Sequence, residues 1–321
     1  MPQALSLAAL AAAGSAFCGQ PPYHAPRNAL GQPDLQGVWS NATFTRLERP
    51  LYVPRVALTP EEAAKGEARM RAGAPLADGV DVGQDDSERV TFDTGDGYAR
   101  VRGEIRSAMI VDPADGRLPF RPEALKRLGL DAPANPLDHR DNPEERSITE
   151  RCMGGEDALP PALPSPDSNY VQIVQTRDDI ALYSEKYHEL RVVRMNDRRH
   201  ADAAVTSWEG DEVGWWEGDT LVVETTNFSA ASLARYQRLR ISSGAKVVER
   251  FTRTSANELM YEFTVTDPSL YTQTWRAELP FKASRARILE DACHEGNYSL
   301  PGVLAGAREE ERSTVAKSDS H

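Results

Sequence analysis

The chain has 321 residues, with 37 Lys and Arg against 49 Asp and Glu for a net charge of −12, and 40% of its residues are apolar. That length suffices for one large domain or two small ones with a real core, and the composition excludes collagen, coiled coil and wholesale disorder. The acidic balance, with no Lys/Arg cluster interleaved with aromatics to offset it, argues against a nucleic-acid partner.

In chain order, Ala4 to Phe17 is an uncharged run of Ala, Leu, Ser and Gly. It matches a signal-peptide hydrophobic region and is shorter than the ~20 residues a membrane-spanning helix needs. The expectation is a signal peptide over 1–19, a periplasmic or secreted protein and no membrane span. Cys18 would leave with the signal, because Phe17 stands where a small residue precedes a lipidated cysteine.

Residues 20–150 read as an irregular, partly helical N-terminal extension that wraps the rest. Asp34 to Asn41 is a short strand candidate. In Thr59-Pro60-Glu61-Glu62, Thr caps a helix, Pro opens it and the glutamates face its positive end, so a helix is predicted to about Ala72. Gly73 to Gly97 is polar and rich in Gly and Asp, and is expected to be loop, partly disordered. Ser107 to Val111 is an apolar strand ending in the turn Asp112-Pro113-Ala114-Asp115-Gly116, and Pro122 to Leu128 restarts as a short helix.

Beyond Cys152 the period changes to two. Strand candidates cover 170–175, 180–185, 190–195, 220–225, 247–252, 259–265, 272–279 and 287–290, each bounded by turn residues. The tetrads Trp208-Glu209-Gly210-Asp211 and Trp216-Glu217-Gly218-Asp219 read as two tight turns with Gly at the left-handed position. Short strands without long intervening helices predict a mainly β fold, an antiparallel up-and-down, lipocalin-like barrel of about eight strands over 151–310. Residues 311–321 are expected to be a disordered tail. Cys152 and Cys293 form an even pair, which in an oxidising compartment reads as one disulfide, the alternative being two buried thiols.

Asp34-Leu35-Gln36-Gly37-Val38-Trp39, Ile110-Val111-Asp112-Pro113 with Asp115-Gly116-Arg117, Glu150-Arg151-Cys152, Gln172 to Thr176, Trp216 to Val223 and Cys293-His294-Glu295-Gly296-Asn297-Tyr298 together resemble the motif string of a widespread, uncharacterised family of secreted bacterial proteins. The resemblance spans nearly the whole mature chain and implies export and a lipocalin-like barrel; it carries no general activity with it. The chain departs from that pattern between Met195 and Trp208, where Asn196-Asp197-Arg198-Arg199-His200 replaces the family's Gly-Arg turn before its His.

The densest polar constellation is His294-Glu295-Gly296-Asn297-Tyr298, beside the expected disulfide. A His next to a Glu suits general acid–base work, and Asn297 and Tyr298 suit binding a substrate oxygen. His188 and His200 flank the third strand of the barrel domain, and Glu224 and Glu249 lie in otherwise apolar strands, where each points to solvent or into the lumen. The spacing of the three histidines matches no helix-borne metal motif, so no metal is expected. Trp208, Trp216 and Tyr261 are candidates to line a substrate pocket. No G-x-S-x-G, Walker loop, G-x-G-x-x-G, C-x-x-C-H or EF-hand pattern occurs. These residues predict an exported, cofactor-free enzyme, a lyase, isomerase or hydrolase. His294, Glu295, His188, His200 and Glu224 would act on a small, largely apolar aromatic or terpenoid molecule in the barrel lumen. A non-catalytic periplasmic small-molecule binding protein is the alternative.

Overall fold

The computed structural model describes residues 23–71, 95, 97–130, 141–146, 150–154, 160–165, 168–230 and 239–318. The expected signal peptide with Cys18, most of the loop expected over 73–97 and residues 319–321 of the expected tail lie outside them.

The N-terminal third supplies β1 (Gly37–Ser40), β2 (Ala57–Leu58), α1 (Pro60–Arg71), β3 (Arg100–Val101), β4 (Glu104–Arg106), β5 (Ile110–Asp112) and α2 (Pro122–Arg127). α1 starts where the sequence predicts. The Glu62 N–H donates to Thr59 Oγ1 at 3.2 Å and the Thr59 N–H donates to Glu62 Oε2 at 2.7 Å, a reciprocal cap that satisfies two end amides. β6 (Tyr170–Gln175), β7 (Asp179–Ser184), β8 (Leu190–Arg194), β9 (Asp211–Glu217), β10 (Thr220–Thr226), β11 (Lys246–Ser255), β12 (Glu258–Thr266) and β13 (Trp275–Ser284) follow, and then α3 (Cys293–Gly296) and α4 (Ser299–Ser318).

The main sheet has the order β1-β6-β7-β8-β9-β10-β11-β12-β13-β5, and a further β1–β13 pairing closes nine of these strands into a barrel. The edge of β13 is shared: β1 pairs along Lys282–Ser284, while β5 pairs at Arg276 and Ala277. β2, β3 and β4 form a separate small sheet. The barrel is therefore mixed, not purely antiparallel, and has nine staves. Two features account for the difference. β1, from the N-terminal third, fills the gap between β6 and β13. β9 was hidden in the sequence because Gly214 and the adjacent Trp215-Trp216 break its alternation. Residues 195–210 cross over between β8 and β9, so that pair runs parallel, at Arg194 opposite Val213. The strand expected at 287–290 is irregular backbone. Gly210 and Gly218 both adopt positive φ, as the tetrads predict, and Gly218 turns the β9–β10 hairpin.

Inward positions alternate through the register. Val223 on β10 lies opposite Gly214 and Glu249, and Phe251 opposite Leu221 and Tyr261. The lumen is packed: Tyr261 lies 4.9 Å from both Phe251 and Phe281 between ring centroids, and Trp275 lies 5.7 Å from Phe263. The expectation of a substrate inside the lumen thus meets an interior already filled by its own side chains.

Within this apolar interior sits one polar assembly. Arg191 on β8 donates from Nε to Glu212 Oε1 at 2.6 Å and from Nη2 to Glu212 Oε2 at 3.2 Å. It also donates from Nη1 to Glu249 Oε1 at 3.1 Å and from Nη2 to Glu249 Oε2. The Tyr261 hydroxyl donates to Glu249 Oε1 at 2.6 Å and accepts the Ala162 N–H at 2.9 Å. Burial works against the Arg191 charge, but the two carboxylates more than offset it and hold the guanidinium well above its ordinary value. Burial also raises the Glu212 carboxyl above the usual carboxylate range, against the opposing pull of Arg191.

Arg191→Met would leave two buried carboxylates without their cation and is expected to lower stability by about 3–5 kcal/mol in urea unfolding. A carboxyl whose folded value is raised favours folding at low pH, and that contribution is lost as the pH rises through the folded value. Glu212→Gln removes the loss. The stability difference between variant and wild type should therefore move in the variant's favour as the pH rises above about 4.3, the ordinary glutamate value.

Candidate functional site

A cavity of about 510 Å³ opens at one end of the barrel. Four segments build it. The β7–β8 connection contributes Tyr187, His188 and Glu189, and the first residue of β8 contributes Leu190; the chain after β13 contributes Glu290 through Glu295; and Cys152–Gly154 with Trp208 and Glu209 complete the wall. Cys152 and Cys293 are joined by a disulfide across 141 residues of sequence, the pairing expected for these two cysteines. The bond fixes the start of α3 against the entry of the barrel domain, and so holds His294 and Glu295 at the cavity.

The β7–β8 connection is a tight turn in which Tyr187 and His188 both have φ of 54°. Two consecutive non-glycine residues in the left-handed region cost on the order of 1–3 kcal/mol each and persist only where their surroundings hold them. Here the chain after β13 does so. The Tyr187 N–H donates to Asp291 Oδ2 at 2.8 Å, the Asp291 N–H donates to His188 Nε2 at 2.8 Å, and the Leu289 N–H donates to Glu185 Oε2 at 2.8 Å. Because His188 Nε2 accepts, the neutral ring carries its proton on Nδ1.

Of the residues singled out in the sequence, the cavity brings together His188, His294, Glu295 and Trp208. His188, His294 and Glu295 are exposed. Asn297 and Tyr298 do not line it. Asn297 donates from Nδ2 to the Glu150 carbonyl at 2.7 Å and to Cys152 Sγ at 3.4 Å, and its Oδ1 accepts the Leu300 N–H at 3.3 Å, so it anchors the start of α4. Tyr298 is 83% exposed to solvent. Trp216 and Tyr261 point into the packed lumen, away from the cavity.

His200 and Glu224 lie on the outer wall instead. His200 Nδ1 is 2.8 Å from Asp211 Oδ2 and its Nε2 is 3.3 Å from Glu224 Oε1, while Glu224 Oε2 pairs with Lys246 Nζ at 3.2 Å. Asp211 also accepts from Arg194 at 2.6 and 3.1 Å and from the Ala201 N–H at 3.0 Å. The Arg194 hydrogen bonds, followed by the Ala201 amide and His200, hold the Asp211 carboxyl far below the usual range. This cluster staples the β8–β9 crossover to the barrel. Glu224 and Glu249, equivalent by eye in the sequence, point in opposite directions: Glu224 to the outer wall, Glu249 into the lumen.

Sequence reasoning missed Tyr187, Glu189, Glu209, Glu290 and Asp291. Glu209 belongs to a tetrad read only as a turn, and Asp291 stands two residues before Cys293 in what was expected to follow a strand. Glu189 and Tyr187 carry no local signal. The charged side chains that line the cavity among the described residues are all acidic or histidine, with no Lys or Arg. Among the described residues no three His, Cys, Asp or Glu side chains are arranged as a metal-binding set. No described helix is long and apolar enough to cross a membrane.

No family model matches the chain, and no curated protein matches it.

Replacing both cysteines, Cys152→Ala with Cys293→Ala, opens the 141-residue connection. Chain entropy puts the expected loss of stability at about 5 kcal/mol, measurable as a shift of the urea unfolding midpoint.

Proposed function

We propose that the protein is an exported enzyme that performs general acid–base chemistry on a small molecule in the cavity at the end of the barrel, as a lyase, isomerase or hydrolase. The observation that carries the reading is convergence. The β7–β8 turn and α3, remote in sequence, bring His188, His294 and Glu295 to one concavity, with Trp208 on its wall. Two imidazoles and a carboxylate on walls fixed by a disulfide are the groups proton transfer needs, held where a substrate can reach them. His294 is the acid or base, Glu295 orients it, and His188, with its proton on Nδ1, is the second donor. The chemistry draws on side chains alone.

The lining also refines the expected substrate. Glu189, Glu209, Glu290, Asp291 and Glu295 surround the space, while Trp208, Tyr187, Leu190 and Met153 offer apolar and aromatic surface. That combination favours a molecule with an apolar body and a positive charge over a wholly apolar one. Export into the periplasm or medium is supported by the Cys152–Cys293 disulfide and by the uncharged run at 4–17, and agrees with the resemblance to secreted bacterial proteins. One observation favours the second reading, a lipocalin-like binding protein without turnover: His188 Nε2 is already engaged by the Asp291 amide.

Purified mature protein and its His294→Ala variant should be incubated with a panel of aromatic and terpenoid metabolites that includes amines, with products read by mass spectrometry. The expected result is a product formed by wild type and reduced roughly 10²–10⁴-fold in the folded variant. Ligands retained without product by both proteins would favour the binding protein and overturn the catalytic role of His294.

A further inference from the structure

One wall of the cavity is held in an unusual way. After β13 ends at Ser284 the chain runs through 285–292 without helix or strand, and none of these residues is buried. Leu289, its largest apolar side chain with Ile288, is 66% exposed. Hydrophobic burial therefore contributes little to holding this stretch in place. It is fastened to the β7–β8 turn by the Leu289, Asp291 and Tyr187 amides, and at its far end by the Cys152–Cys293 bond.

We propose that residues 285–292 are a strap over the cavity and that the protonation of His188 decides whether it is fastened. This deepens the reading of the cavity as the functional site and rests on it. The physical basis is the Asp291 N–H to His188 Nε2 bond. A neutral imidazole has one acceptor nitrogen; an imidazolium has two donors and none. Protonation turns that bond into two N–H groups facing each other. The charged groups around His188 all bear on this step. Glu185, Lys186 and Glu189 lie on its own turn, Glu290 and Asp291 on the strap, His294 and Glu295 on α3, and Glu209 across the cavity. The carboxylates outnumber the one lysine and the second histidine, so a ring that has gained its second proton finds acidic oxygens to turn to in place of the amide. Asp291 supplies both the amide that loses its acceptor and the carboxylate that holds the Tyr187 amide. Both bonds loosen together. The disulfide keeps the far end tethered, so acidification swings the strap open without detaching it.

The test is amide hydrogen exchange of the oxidised protein without ligand, followed by NMR and expressed as protection relative to the intrinsic rate at each pH. Between about pH 8 and about pH 5, where imidazoles change charge, the Asp291 and Tyr187 amides should lose about tenfold in protection while amides of β11 and β12 stay unchanged. His188→Gln places a non-titrating acceptor oxygen on the turn and should make that protection independent of pH. Glu185→Gln should weaken the Leu289 amide alone and leave the pH response of Asp291 intact. Equal protection of the wild-type Asp291 amide at both pH values, or the same loss in His188→Gln, overturns the proposal. Because the readout needs neither substrate nor turnover, a failed strap leaves the cavity reading standing, and a failed activity screen leaves the strap standing.

Discussion

Arg191 commits four of its N–H donors to two carboxylates inside a nine-stranded barrel, and the rest of the molecule is arranged around that fact. One cation against two buried anions is balanced only if the geometry is tight and the remaining oxygens are satisfied. Tyr261 meets that need from β12, and in turn receives the Ala162 amide from the loop residues 160–165. The assembly thus links β8, β9, β11 and β12 through side chains, and joins them to a connecting loop through the Ala162 amide. It also spans the parallel pairing of β8 with β9, which has a single register pair, Arg194 opposite Val213. The aromatic layer around Tyr261 closes over the remaining space.

A filled lumen leaves the rim as the place for the proposed chemistry. The staves end there in connections that have no core of their own, and those are stabilised one by one. The His200–Asp211–Glu224 cluster fastens the β8–β9 crossover to the outer wall. The Cys152–Cys293 bond fastens α3, and three amide hydrogen bonds fasten the chain after β13. Positive φ at the consecutive residues Tyr187 and His188 lies where this fastening meets the β7–β8 turn. The proposed site is built from such connections, which is why its walls combine covalent rigidity on one side with weak attachment on the other.

Much of the barrel was legible because period-two alternation survives in β6, β7, β8 and β10 to β13, and because Thr59-Pro60-Glu61-Glu62 carries its own capping chemistry. β9 was not legible: a glycine and paired tryptophans obscure its alternation, and Gly214 is where Val193 and Met195 approach closely. Closure through β1 was not legible either, since pairing of Trp39 with Val171 and Ala283 is decided by tertiary packing. The strand expected at 287–290 has the right residue types but no partner edge, because β13 already pairs with β12, β1 and β5. The site was half legible. The motif around Cys293 points to His294 and Glu295, whereas the other acidic residues of the cavity come from a turn with no sequence signature (Glu189), a tetrad read as a turn (Glu209) and a stretch read as strand and its end (Glu290, Asp291). His200 and Glu224 have the composition of a catalytic pair, and only the register of β10 reveals that they face outward.

The most direct test of a rim site beside a packed lumen is to titrate the isotopically labelled protein with phenethylamine and to map the amide shifts, with hydrocinnamate, of similar shape and opposite charge, as the control. The account predicts saturable shifts confined to residues 187–190 and 290–295 with the amine, and much weaker ones with the acid. Shifts centred on Val223, Phe251 or Tyr261, or equal responses to both compounds, would contradict it.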